Sequence, residues 1–219
     1  ADWGFNNTIH AGKSITALFH GPPGTGKTMA AEALAYEIGL NLHPVKIPSV
    51  VEKFVGETSR NLKYIFGAAR ETEAILLFDE AEALFASRLN DGTHHSKYIN
   101  EEIDTLLHEI ENFEGIVILT TNHPNQIDPA FMRRIRHHLA FALPDTAARE
   151  QIWQRHIPST APVSSNVNFK KLAQSYEFSG GIIRNIVLKT AFRAAATQEQ
   201  QITMELLEEI GRASCRERV

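Results

Sequence analysis

The sequence predicts an α/β protein: a five-stranded parallel sheet followed by a small domain of helices. Three observations carry that prediction. Short apolar runs alternate with stretches of helical periodicity, the order that builds a parallel sheet. One run, 74–78 (Ala-Ile-Leu-Leu-Phe), is apolar without interruption, as a strand covered on both faces must be. At Pro144-Asp145 the runs stop, and the remainder reads as helices alone.

The first strand is 15–20 (Ile-Thr-Ala-Leu-Phe-His). From Gly26 the chain turns helical through Met29, Ala30, Ala31, Leu34, Ala35 and Ile38, and Gly39 stops it. A second strand follows at 42–47. Leu62, Ile65, Phe66 and Ala69 then recur at the spacing of a helix that faces a core over 58–72. The strand 74–78, a helix at 99–113, a strand at 115–120 and a weaker strand at 138–143 complete the sheet. Helices are expected at 146–156, 169–176, 181–196 and 204–209. The large α/β domain is therefore assigned to residues 1–144 and the small helical domain to 145–209. Neither repeats nor low-complexity tracts interrupt them.

The last ten residues, 210–219, break the helical pattern with Gly211 and three arginines. They back-translate readily as ATC GGA AGA GCG TCG TGT AGG GAA AGA GTG, which resembles a sequencing-adapter read. We expect them to be a non-biological scar and leave them out of the fold prediction. The chain opens on Ala1 rather than Met, and its N-terminus is expected to be cut as well.

Composition narrows the function. The net charge is −4, and the tail supplies three arginines against one glutamate, so the rest is more acidic still. That balance gives no global support for nucleic-acid binding. The single cysteine, Cys215, lies in the tail; disulfides are excluded, and a cytoplasmic, reducing location is expected. No apolar run approaches a membrane span. The histidine pairs His94-His95 and His137-His138 lack suitably spaced partners, and His108-Glu109 lacks the second histidine of a zinc-protease motif, so no metal centre is read from them.

Between the first strand and the first helix lies Gly21-Pro22-Pro23-Gly24-Thr25-Gly26-Lys27-Thr28, followed by Met29. A glycine-rich turn that opens a helix presents backbone N–H groups and the positive end of the helix dipole to polyphosphate. Lys27 is placed to reach the β- and γ-phosphates, and the Thr28 hydroxyl to ligate Mg²⁺. The loop resembles that of the P-loop nucleoside triphosphatases, which implies their fold and a nucleoside-triphosphate site. Asp79 and Glu80 follow the third apolar run, at the strand end where open α/β sheets bind ligands. Asp79 suits the Mg²⁺ shell beside Thr28, and Glu80 suits polarising the water that attacks the γ-phosphate. Taken alone, the pair also reads as N-terminal acids of a helix over 81–86.

These motifs, with Thr120-Thr121-Asn122 and the string 127–136 (Ile-Asp-Pro-Ala-Phe-Met-Arg-Arg-Ile-Arg), resemble the AAA clade of the AAA+ ATPases over nearly all of residues 1–209. The resemblance implies ATP and Mg²⁺ as cofactors and a homo-oligomeric ring, a hexamer, that remodels protein substrates. It implies Asn122 as a first sensor of the water or γ-phosphate, with a turn residue before His123-Pro124 as the alternative. It also implies Arg133 and Arg136 as fingers on nucleotide held by a neighbouring subunit. Arg134-Ile135 stands where the family has Pro-Gly, so Arg134 competes for one of those roles, and a basic surface rim is the alternative for all three. Phe54, Val55 and Gly56 resemble the pore loop that grips a translocating polypeptide, or else Phe54 packs beneath its loop. Residues 87–95 resemble a second pore loop. Gly180 and Gly181 resemble the lid segment that approaches adenine or ribose; Arg184 is a second-sensor candidate or an ordinary surface arginine. Trp3 lies near where an adenine-contacting linker belongs, with packing into the core as the alternative. The strings 77–85 and 131–136 look most like bacterial members. A DNA-directed motor or loader and a nucleotide-gated scaffold with little turnover are the alternatives.

Overall fold

The computed structural model describes residues 14–46, 57–82, 104–127, 129–197 and 201–216. Two compact units emerge. One runs to Gly21 and resumes over Lys27–Phe141; the other comprises Pro22–Gly26 and the chain from Ala142 onward.

In the first unit the order is β1 (Ile15–His20), α1 (Lys27–Ile38), β2 (Leu42–Lys46), α2 (Glu57–Glu71) and β3 (Ile75–Asp79). There follow α3 (104–112), β4 (Ile116–Thr121), a 3-10 turn (Pro124–Gln126), α4 (Pro129–Met132) and β5 (His137–Ala140). The five strands form one sheet in the order β2-β3-β4-β1-β5, and every neighbouring pair is parallel. Side chains alternate between its faces. Leu76 and Phe78 join Leu62, Phe66, Leu107 and Phe113 in the core beneath α2 and α3. Ile75 and Leu77 join Ala17, Phe19 and Ile118 beneath Ala31 and Ala35 of α1. An uninterrupted apolar run in β3 is therefore a requirement of the fold, because both of its faces are covered. Phe66 anchors the larger cluster, with ring centroids 6.0 Å from Phe78 and 5.4 Å from Phe113.

β3 and β4 each lie one residue further along than the expected 74–78 and 115–120, because pairing carries past the apolar run into Asp79 and Thr121, while β2 ends at Lys46, one residue short of the expected 47. The strand ends deliver polar residues to one edge of the sheet. β5 is shorter than the expected 138–143 and all four of its residues are exposed, as befits an edge strand.

In the second unit α5 (Thr146–His156), α6 (Phe169–Ser175), α7 (Gly180–Ala196) and α8 (Met204–Arg216) surround Trp153, Phe178, Ile183, Ile186 and Leu207. Asp145 caps α5 by accepting the Ala148 N–H at 2.7 Å, and Asn168 caps α6 by accepting that of Lys171 at 2.9 Å. The expected end of the last helix at Glu209 is corrected: α8 continues through Arg216. Ile210 is buried in the helical core, and Gly211 lies against the Tyr176 ring, where a Cβ would stand 3.4 Å from it. Burial on that face outweighs the helix cost of one glycine, about 1 kcal/mol. An apolar repeat of this period packs so whatever the origin of residues 210–219.

Arg149 is buried within this unit. Its guanidinium donates to the carbonyls of Ala173 at 2.9 Å and Pro144 at 2.6 Å, and to the Thr146 hydroxyl at 3.2 Å. Arg149→Met is expected to cost about 3 kcal/mol, since it orphans the buried Ala173 carbonyl and the partly buried Pro144 carbonyl. Arg149→Lys should recover little of it, because an ammonium lacks the planar fork. Denaturant titration of both variants checks this; a loss below about 1 kcal/mol in Arg149→Met excludes the clamp.

Candidate functional site

The glycine loop leaves β1 at Gly21, whose φ is +148°, and passes Gly24 and Gly26 at +73° and +96° before α1 begins at Lys27. A Cβ on Gly21 would stand 2.1 Å from the Phe141 carbonyl oxygen. Thr25 closes the turn by donating its hydroxyl to the Pro22 carbonyl at 2.8 Å. Pro22, Pro23 and Met29 are exposed. Within the second unit Gly181 donates its N–H to the Gly24 carbonyl at 2.9 Å, and a Cβ on Gly181 would meet Gly24 Cα at 2.9 Å. Gly180 sits at ordinary contact distance from the Gly24 carbonyl. The two lid glycines thus lie against the backbone of the phosphate loop, a neighbour that spacing alone did not suggest.

The polar ends of β3 and β4 bring the remaining residues of the first unit together. Lys27 is buried, and its ammonium donates to the Gly21 carbonyl and to Asn122 Oδ1, each at 2.8 Å. Burial lowers the Lys27 pKa, while the negative charges of Glu82 and Asp79 act in the opposite direction. The Thr28 hydroxyl lies 3.3 and 3.2 Å from the two carboxylate oxygens of Asp79. Glu80 is exposed and adopts a left-handed backbone, φ +56°.

Two residues of this cluster were not foreseen. Thr120 is buried; its hydroxyl donates to Asp79 and accepts the Glu80 N–H at 3.1 Å, while its carbonyl accepts the Ala81 N–H at 2.8 Å. One threonine thereby orients both acids and holds Glu80 in its unusual conformation. β3 and β4 pair Phe78 with Leu119, so Thr120 lies one step on, beside Asp79. Knowing the strand order would have revealed it. The second is Glu82, whose Oε1 accepts the Asn122 backbone N–H at 3.2 Å.

Arg133, Arg134 and Arg136 are exposed beside α4. Arg134 pairs with Glu111 at 3.3 Å. Its carbonyl accepts the Thr16 hydroxyl at 3.3 Å, and that hydroxyl accepts the Arg136 N–H at 3.0 Å, so β1 fixes the backbone of the cluster. Arg133 and Arg136 form no ion pair among the described residues. Arg184 is exposed on α7. Phe54, Val55 and Gly56, the segment 87–95 and Trp3 lie outside the described residues.

The model of the ATPase family associated with various cellular activities (AAA) matches residues 17–143, more than half of the chain. The chain belongs to this family. Among its relatives, the AAA chain is 32% identical over 195 residues to 26S proteasome subunit RPT4 of Saccharomyces cerevisiae, covering 84% of this chain and 44% of that protein. It is 33% identical over 204 residues to the proteasome-activating nucleotidase of Saccharolobus solfataricus, covering 89% and 52%. It is 34% identical over 175 residues to the cell division cycle protein 48 homolog of Archaeoglobus fulgidus, covering 77% and 24%. The chain therefore spans about half or less of the length of these relatives. They come from a yeast and from archaea, so they carry the family assignment and not the narrower bacterial one.

The donors around Asp79 fit Mg²⁺. The Thr28 hydroxyl and the Asp79 carboxylate are hard oxygen ligands that already converge, and a magnesium ion bound by one or two such groups keeps several waters. No helix among the described residues is long and apolar enough to cross a membrane.

Proposed function

We propose that this AAA chain is the ATP-hydrolysing module of a homo-oligomeric ring, a hexamer, that remodels protein substrates in the cytoplasm. The observation that carries the reading is the convergence of Lys27, Thr28, Asp79, Glu80 and Asn122 at the polar ends of β1, β3 and β4. The loop amides and Lys27 hold the β- and γ-phosphates. Magnesium, held by Thr28 and Asp79, neutralises phosphate charge when bound. Glu80 polarises the attacking water, and Asn122 orients it against the γ-phosphate. Arg133 and Arg136, exposed and free of ion pairs among the described residues, supply guanidinium charge to nucleotide on a neighbouring copy. Relatives named for the proteasome favour protein over nucleic acid as the substrate class, and the acidic balance agrees.

ATP turnover per subunit is accordingly expected to rise with protein concentration. The Arg133→Ala, Arg136→Ala double variant should lose about 10³-fold of that turnover while still binding nucleotide. Phosphate-release assays across a concentration series, with fluorescent-nucleotide titration alongside, measure both. Turnover independent of concentration removes the fingers from the mechanism. Salt-sensitive stimulation by DNA supports the nucleic-acid motor instead. Tight binding without turnover at any concentration supports the nucleotide-gated scaffold.

A further inference from the structure

We infer that Glu82 is a positioning residue: by accepting the Asn122 backbone N–H it fixes the turn after β4, and so sets where the Asn122 side chain meets Lys27. The inference rests on the ATPase reading above and deepens it. Asn122 follows the last residue of β4, so no strand ladder continues to hold its N–H. Glu82 takes over that task at 3.2 Å from a neighbouring segment of chain. The next amide, that of His123, is held by the Thr121 hydroxyl at 3.0 Å. Both amides of the turn are thus pinned by side chains. The Asn122 side chain then accepts from Lys27 at 2.8 Å, which completes a path from Glu82 to the phosphate-binding ammonium.

The chemistry suits a charged acceptor better than a neutral one. Burial by itself raises the Glu82 pKa. Hydrogen bonds from its own backbone, from the Thr121 hydroxyl and from the Asn122 N–H outweigh burial, and the carboxyl is held below its ordinary value. Glu82 is therefore ionised at neutral pH, and its bond to the Asn122 amide is charge-assisted. Its other oxygen, Oε2, is buried and accepts no hydrogen bond among the described residues. That carboxylate charge is directed into the protein, where it opposes the effect of burial on Lys27.

The test compares Glu82→Leu, which removes the acceptor, with Glu82→Gln, which keeps a neutral one of equal length. Glu82→Leu should lower kcat about tenfold with nucleotide affinity changed less than about threefold, and Glu82→Gln should recover most of that loss. In an Asn122→Ala background, Glu82→Leu should cost less than about twofold further, because the residue it positions is gone. Equal fractional losses in both backgrounds, or kcat and affinity falling together, overturn the proposal. A second readout needs no hydrolysis: in two-dimensional ¹H–¹⁵N NMR the Asn122 amide proton should move upfield in Glu82→Gln. An unmoved resonance overturns the proposal even where Glu82→Leu fails to fold. Absence of turnover in the unmodified protein sinks the ATPase reading alone, and the Asn122 resonance then decides for or against Glu82.

Discussion

Replacing Glu80 by Gln is expected to reduce ATP turnover by about 10²–10⁴-fold while nucleotide affinity and melting temperature stay unchanged. The substitution preserves side-chain length and removes only the basic carboxylate. The backbone around it should not respond, because Thr120 holds the Glu80 N–H and the Ala81 N–H whatever side chain follows. The left-handed conformation at residue 80 costs Gln what it costs Glu, of order 1–2 kcal/mol, so it cancels from the comparison. Asp79 and Thr28, which would hold Mg²⁺, are likewise untouched. A loss of turnover with binding intact would place the effect on the hydrolytic step. Turnover within tenfold of the unmodified enzyme would show that some other group polarises the water. Phosphate release and fluorescent-nucleotide titration on the same preparation separate these outcomes.

The sequence disclosed those features whose cause is local. The phosphate loop, the acids after β3 and Asn122 each follow an apolar run, and the sheet orders them because polar strand ends share one edge. What escaped was what depends on partners distant in the chain. Thr120 matters only because β4 neighbours β3, and Glu82 only because the chain beyond β3 meets the turn beyond β4. Arg149 reads as one more polar residue on an amphipathic helix until three oxygens are found around its guanidinium. The end of α8 misled for the opposite reason. Gly211 and the arginines are local stop signals, and burial of Ile210 together with the contact at Tyr176 overrides them.

The phosphate loop makes a second large effect calculable. Gly21→Ala is expected to destabilise the protein by more than about 3 kcal/mol, a fall in Tm of roughly 6–12 °C for a chain of this size. The added Cβ would stand 2.1 Å from the Phe141 carbonyl oxygen, which is backbone and cannot swing aside. The strands on either side resist movement as well. Gly21 donates to the Thr121 carbonyl at 3.2 Å, and Phe141 donates to that of His20 at 2.7 Å. Relief of the clash must therefore break a tie to β4 or to β5. Two other glycines separate contact from conformation. Gly39, φ +72°, has nothing within 4 Å of an added Cβ, so Gly39→Ala should cost only the left-handed penalty, about 1–2 kcal/mol. Gly67 lies inside α2 with open space and an ordinary φ, so Gly67→Ala should stabilise by up to about 1 kcal/mol. Calorimetry on the three variants gives the ordering directly. If Gly21→Ala fell no further than Gly39→Ala, the Phe141 contact would carry no energy, and the glycine would be there for backbone angle alone. If it falls further, glycine at position 21 is needed both to let β5 close on β1 and to hold a φ of +148°, which is costlier for Ala than the +72° of Gly39. The phosphate loop then inherits its starting point from the packing of the sheet.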